Sequence, residues 1–301
     1  MQASVENGTM PMITLLAPEV VDENETKETL RDIVLYYTIG EGAEKIGTSI
    51  VYWEIGNEVN GNWGTSCDAD EYYNRVRVYA PAIREACSNC KIVMGSLLDN
   101  IPGNRDLEVY LERFLELGGE YVDIYNFHYY GTAKPVGIGE YYRSGINIYN
   151  SMKSILEEYG YGDKPIWVTE TCTFSGRLGE IIQTEEEQAS DLVKRFVTMK
   201  TLGVEKVFWC YIEEPDYESG TDEGFFDQSG LIYDGRGEFD RGAGVKKKAY
   251  FAYKEMVEML SNTTLVYTQD DETTFLSVFM RNNSEKISVL WQDKWMSNKN
   301  N

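Results

Sequence analysis

Six short apolar segments, rich in β-branched residues, are each followed by a stretch whose apolar residues recur at helical spacing, and this repeated order constrains the fold more than any other feature. Met12 to Ala17 precedes a helix over Thr26 to Tyr37, in which Leu30, Ile33, Val34 and Tyr37 form the stripe. Ser49 to Glu58 precedes a helix carrying Tyr72, Val76, Tyr79 and Ile83, and Lys91 to Leu98 precedes one carrying Leu107, Val109, Tyr110, Phe114 and Leu117. Tyr121 to Tyr130 leads to a helix around Ile146 to Tyr159, and Lys164 to Glu170 to one spanning Ala189 to Leu202. Lys206 to Ile212 is followed by a Gly- and Asp-rich loop, Glu213 to Gly244, and a helix with Ala249, Tyr253, Met256, Val257 and Leu260. Asp68-Ala-Asp-Glu71 and Thr184-Glu-Glu-Glu187 read as helix starts, and Gly118-Gly119 and Gly203 as stops. Strands joined by helices run parallel, so the order predicts an α/β chain with a parallel sheet and helices outside it.

After Leu260 the rhythm changes. Leu265 to Gln269, Thr274 to Met280 and Lys286 to Trp291 alternate apolar and polar residues between short polar turns, which predicts an antiparallel meander. The expected division is therefore 1–260 for the strand–helix part and 261–301 for a β segment, with Trp291 and Trp295 before the polar end.

Lys and Arg total 28 against 50 Asp and Glu, and the formal net charge of -22 argues against nucleic acid and anionic membrane as partners. No apolar run approaches the roughly 20 residues that span a bilayer, and the first residues lack the basic and apolar regions of a signal peptide. Five scattered cysteines do not make a disulfide framework. Cys87-Ser-Asn-Cys90 has the C-x-x-C spacing, but it sits in a polar link without a second pair for zinc. His128 is the single histidine, so His-based metal sites and a Ser-His-Asp triad elsewhere lack support. No metal or organic cofactor is expected.

Two of the strands end in Glu, Glu58 and Glu170. Barrels and doubly wound sheets place their chemistry at the carboxyl ends of strands, and a barrel brings both tips to one face. Two carboxylates across a pocket are what glycoside hydrolysis requires, one protonated to give its proton to the leaving oxygen and one ionised to attack the anomeric carbon. Asn57, His128, Tyr130 and Trp209 lie at neighbouring tips, where they suit sugar hydroxyls and an apolar sugar face; taken singly, each also reads as a turn or packing residue. Strand alternation puts Glu54 on the side of Glu58, pointing inward and in need of a partner, and Glu54 reads as structural.

Trp53-Glu-Ile-Gly-Asn-Glu58, Asn126-Phe-His-Tyr-Tyr130, Trp167-Val-Thr-Glu170 and Phe208-Trp209, in this order, resemble strands four, six, seven and eight of the clan A glycoside hydrolases. The resemblance covers roughly Met12 to Leu260 and implies a (β/α)8 barrel of TIM type that cleaves with retention. It implies Glu58 as general acid/base, Glu170 as nucleophile, Asn57 on the 2-hydroxyl, His128 or Tyr130 bonded to the nucleophile region, and Trp209 as the floor of the sugar subsite. A xylan-, arabinan- or β-glucan-type carbohydrate is the implied substrate, and the terminal meander is then the start of an appended β-sandwich.

One departure stands against the pattern. If the Glu58 strand is the fourth, two βα units are missing before Met12, so the expected barrel is N-terminally incomplete. A fragment, a second chain completing the barrel, or a shortened fold each account for it, and a lost N-terminus would also leave an extracellular location open. A non-catalytic carbohydrate-binding remnant is the alternative function. A doubly wound nucleotide binder is a weaker one, because no G-x-G-x-x-G or P-loop follows an early strand.

Overall fold

The computed structural model describes residues 9–62, 65–135, 141–215, 224–271, 273–282 and 284–293; Gly64, Tyr217 of the Gly- and Asp-rich loop, and Trp295 lie outside them. The chain forms two compact units, Met1–His128 with Ile148–Thr169, and Tyr129–Asn147 with Glu170–Asn301. No helix among the described residues is long and apolar enough to cross a membrane.

In the first unit the order is β1 (Met12–Leu15), α1 (Glu23–Thr38), α2 (Glu41–Ile46), β2 (Tyr52–Ile55), α3 (Ala69–Ala86), β3 (Lys91–Met94), β4 (Leu97–Leu98), α4 (Leu107–Gly118) and β5 (Tyr125–Tyr129). α5 (Ser144–Glu158) and β6 (Ile166–Thr171) follow, each with residues of both units. Aspartates start three of the helices. Asp22, Asp68 and Asp106 accept backbone N–H groups of the first turns of α1, α3 and α4, satisfying donors that the helix itself leaves bare.

β1, β2 and β3 pair in parallel, with Ile13, Trp53 and Ile92 in one register and Thr14, Glu54 and Val93 in the next. Val93 bridges to Ile124, and β4 pairs in parallel with β5 through Leu97↔Phe127 and Leu98↔His128. α1 packs on α3 and α3 on α4, with Tyr72, Val76, Tyr110 and Phe114 fully buried. β2 and β3 are buried along most of their length, which is why they read as continuous apolar runs.

Two departures from the expected pattern occur here. The run Lys91 to Leu98 forms two strands, because the chain steps aside at Gly95-Ser96. A Cβ on Gly95 would lie 2.5 Å from the Ile55 carbonyl oxygen, so the backbones cross at a distance that only glycine permits. Cys87 and Cys90 are bonded to each other in a disulfide, and Trp53 Nε1 donates to Cys90 Sγ at 3.3 Å.

The second unit contains a hairpin of β7 (Gly176–Leu178) and β8 (Ile181–Gln183), which the sequence did not announce, then α6 (Glu185–Leu202), β9 (Lys206–Trp209) and α7 (Lys248–Leu260). Thr184 and Glu187 close a reciprocal capping box at the start of α6, and Gly203 ends it in the left-handed conformation. The terminal meander forms as expected: β10 (Thr263–Asp270), β11 (Thr274–Arg281) and β12 (Glu285–Gln292) make an antiparallel sheet in that order. Phe275 stacks on Trp291 at 4.0 Å between centroids, and buried Asp293 accepts from Lys194 Nζ at 2.7 Å and from the Tyr142 hydroxyl. The meander is thus anchored in its unit by apolar packing and by a buried ion pair.

Candidate active site

The two carboxylates lie in different units, and each has its own surroundings. Glu58 stands beyond the strand end. β2 stops at Ile55, Gly56 turns at φ 88° and Glu58 takes φ 47°, a left-handed conformation that costs a side-chain-bearing residue roughly 1–2 kcal/mol. Strand alternation therefore does not set its direction, contrary to the expectation for Glu54 and Glu58. The turn is held by the step in the neighbouring strand. Glu58 N donates to Ser96 Oγ at 2.9 Å, Val59 N to Ser96 O at 3.0 Å, and Ser66 Oγ to Glu58 O at 2.9 Å. Asn60, fully buried, donates to the carbonyls of Leu98 and Arg105 and accepts from Leu98 N, fixing the loop against β4.

Glu58 is 8% exposed, and its Oε1 lies 3.0 Å from His128 Nδ1. His128 Nε2 lies 2.8 Å from Thr169 Oγ1, and Thr169 continues into a buried polar chain. Thr169 Oγ1 donates to Glu54 Oε1 at 3.2 Å. Asn126 Nδ2 donates to Glu54 Oε1 at 2.5 Å and to Thr169 Oγ1 at 2.6 Å, and Thr14 Oγ1 donates to Glu54 Oε2 at 2.6 Å. Glu54 is thus the far end of a network that begins at Glu58.

In the second unit Glu170 is half-buried and lies within β6, one residue before its end. Its Oε2 accepts from the Tyr130 hydroxyl at 2.6 Å and from Cys210 Sγ at 3.6 Å. The Cys210 thiol is pushed far up, first by its contact with the buried Cys172 thiol and then by burial, so it stays a protonated donor. Tyr130 is flanked by Phe225 and Phe226, with ring centroids at 6.3 and 5.2 Å. Trp209 is buried, and its Nε1 donates to Ser229 O at 3.0 Å.

Of the residues read from sequence, the Tyr130 hydroxyl donates to Glu170, His128 Nδ1 lies against Glu58, and Asn57 is half-buried in the turn beside Glu58. Ser96, Asn126, Thr169 and Cys210 escaped the sequence reading. Asn126 and Thr169 had a signal, since both stand on strands within the quoted motifs and Asn126 shares a face with His128. Ser96 and Cys210 had none. Elsewhere in the second unit, carboxylate oxygens of Glu214, Asp234 and Asp240 come within 4.8 Å of one another, and burial pushes the Glu214 carboxyl up to about 7. Lys247 pairs with Glu214, Arg236 with Asp234, and the backbone N–H of Gly235 and Gly242 with Asp240, so internal partners account for this cluster.

Residues 57–235 match the family model described as glycosyl hydrolase catalytic core. No curated protein matches. Among solved structures, a glucosidase from Croceicoccus marinus superposes with a TM-score of 0.68 at 16% identity, over 92% of this chain and 58% of that one. A family 39 glycoside hydrolase from the gut symbiont Bacteroides cellulosilyticus WH2 gives 0.66 at 18% identity, over 97% and 59%. An α-L-arabinofuranosidase from Thermotoga maritima gives 0.62 at 17% identity, over 95% and 57%. At such identities the likeness is one of fold, and the chain spans under two thirds of each of these three structures.

Proposed function

The chain belongs to the glycosyl hydrolase catalytic core family, and on that premise we propose that it hydrolyses O-glycosidic bonds of a polysaccharide or oligosaccharide with retention of configuration. Glu58 is the general acid and then base, and Glu170 the nucleophile. The observation that carries this assignment is the contrast between their partners. Glu58 faces an imidazole nitrogen, whereas the Tyr130 hydroxyl and the Cys210 thiol both donate to one oxygen of Glu170 and fix the direction of that carboxylate.

In the first step Glu170 attacks the anomeric carbon while Glu58 gives its proton to the departing oxygen. In the second, Glu58 takes a proton from water, which opens the glycosyl ester. Asn57 contacts the 2-hydroxyl and Trp209 floors the subsite. Xylan-, arabinan- and β-glucan-type chains are the substrates for which these residues are suited. On the same reading residues 1–260 make the catalytic part and 261–301 the start of a β-sandwich. Among the described residues β1 stands at the end of its sheet, where this reading has a further strand, from the same or a second chain, complete the barrel.

Turnover of a panel of aryl β-glycosides and aryl α-L-arabinofuranosides tests the proposal, with Glu170→Gln and Glu58→Gln as controls. Glu170→Gln is expected to abolish turnover with every leaving group. Glu58→Gln is expected to lower kcat/KM by about 10²–10⁴-fold for leaving groups that need a proton, and by much less for those that do not. Wild-type turnover that survives either substitution with a poor leaving group overturns the assignment. Sugar binding without turnover by the folded wild-type protein supports the non-catalytic alternative.

A further inference from the structure

We propose that Glu54, acting through Thr169, holds His128 in the tautomer with its hydrogen on Nε2, so that Nδ1 takes and returns the proton of Glu58. The inference rests on the reading of Glu58 as the acid/base, but its geometry stands within one unit and needs only hydrogen counting.

Asn126 comes first, because its orientation is fixed from two sides. Its Oδ1 accepts Thr169 N at 3.1 Å, so its Nδ2 hydrogens go to Glu54 Oε1 and Thr169 Oγ1. The Thr169 hydroxyl has one hydrogen and two lone pairs, and three groups surround it: Asn126 Nδ2 at 2.6 Å, His128 Nε2 at 2.8 Å and Glu54 Oε1 at 3.2 Å. A carboxylate is the stronger acceptor, and one assignment satisfies all three contacts. Thr169 donates to Glu54 and accepts from Asn126 and from His128 Nε2–H. In the other tautomer Thr169 spends its hydrogen on Nε2, and two oxygens with lone pairs face each other across 3.2 Å inside the protein.

With the hydrogen on Nε2, the neutral ring presents a bare Nδ1 to Glu58 Oε1 at 3.0 Å. One proton serves this pair. Either Glu58 holds it and donates to Nδ1, or the Oε1–H bond breaks, an Nδ1–H bond forms, and a carboxylate faces an imidazolium. No oxidant or further reactant enters. Glu54 and Thr169 are positioning residues in this scheme, with Thr169, His128 and Glu58 between Glu54 and the reacting sugar, and the network gives a reason for an inward-facing carboxylate that packing alone does not.

His128 is the single histidine of the 301-residue sequence, so its imidazole nitrogens are read without assignment ambiguity by ¹⁵N-labelled histidine NMR. The wild-type protein is expected to show the Nε2–H tautomer when the ring is neutral. Glu54→Gln is expected to keep it, because its carbonyl oxygen takes the place that accepts from Asn126 and Thr169 and its amide turns to the Thr14 hydroxyl, whereas Glu54→Leu is expected to shift it, because the Thr169 hydrogen, without the carboxylate, turns to Nε2 and Nδ1–H then points at Glu58. Thr169→Val is expected to release the ring into a mixture, and Thr169→Ser to restore the Nε2–H form. Against a glycoside substrate, Glu54→Leu is expected to lower kcat about tenfold, equal to about 1.4 kcal/mol, with KM within about twofold. A wild-type ring with hydrogen on Nδ1, or a folded Glu54→Leu or Thr169→Val protein whose ring spectrum matches wild type, overturns the proposal. A wild-type protein with the Nε2–H ring but no turnover leaves this chain standing and removes the glycosidase reading; turnover with the hydrogen on Nδ1 does the reverse.

Discussion

Glu58 and Glu170 have the same side chain and are held in opposite ways. Glu58 sits on a left-handed turn outside any strand, nearly buried, and bonded to a ring that exchanges protons. Glu170 sits in regular β6, half-exposed, with a phenol and a thiol donating to it. A side chain that must change protonation in every cycle gains from a partner able to hold the proton, and one that must stay charged gains from fixed donors. The backbone follows the same division. The strand carries Glu170 at no conformational cost, while Glu58 needs the step at Gly95-Ser96 to accept its turn.

The contrast breaks most visibly on the Glu170 side. Tyr130→Phe removes a hydrogen bond to a charged group, a contribution of about 1.5–3 kcal/mol, so kcat/KM is expected to fall about 10–10²-fold in steady-state assays. Cys210→Ala removes a weaker donor from the same oxygen, and a loss near threefold is expected. A larger effect from Cys210 than from Tyr130 would reverse their ranking. On the Glu58 side, Ser96→Ala strips the partner from a buried N–H and is expected to lower stability by about 1–3 kcal/mol, read from denaturant unfolding. An unchanged midpoint would show that the turn holds itself.

The smallest effect is the most discriminating. Glu58→Gly removes a side chain from a left-handed position and is expected to raise stability by up to about 1 kcal/mol while lowering turnover of substrates whose leaving group needs a proton. Glu170→Gly places glycine in a strand and is expected to lower stability by about 0.5–1 kcal/mol. Differential scanning calorimetry of the two variants checks the signs, and shifts in the same direction would mean that the backbone difference has no energetic weight.

Much of this was legible in the chain. The helix at Ala69–Ala86 begins where Asp68 stands, α6 begins at Thr184 and ends at Gly203, and the three terminal strands fall where the alternation puts them. These are local matters, decided by caps, turns and periodicity within a few residues. The hairpin Gly176–Leu178 with Ile181–Gln183 was not legible, because three-residue strands carry too little pattern to rise above their loops. The Lys91 to Leu98 run misled for the opposite reason. Its apolar residues resume at Leu97 straight after Gly95-Ser96, so it reads as one strand, and the break at Gly95 answers to the Ile55 carbonyl, a group 40 positions away.

The sequence by itself determined the alternation of strand and helix, the identity of Glu58 and Glu170 as carboxylates near strand ends, and the presence of His128, Tyr130 and Trp209 close to other ends. Tertiary structure alone decided that His128 meets Glu58, that Tyr130 and Cys210 meet Glu170, and that Glu54 closes a chain through Asn126 and Thr169. The physical reason is one of range. Periodicity and capping are properties of neighbours along the chain, whereas a hydrogen bond is a property of ångströms, and parallel strands bring together residues that the sequence keeps 40 to 115 positions apart.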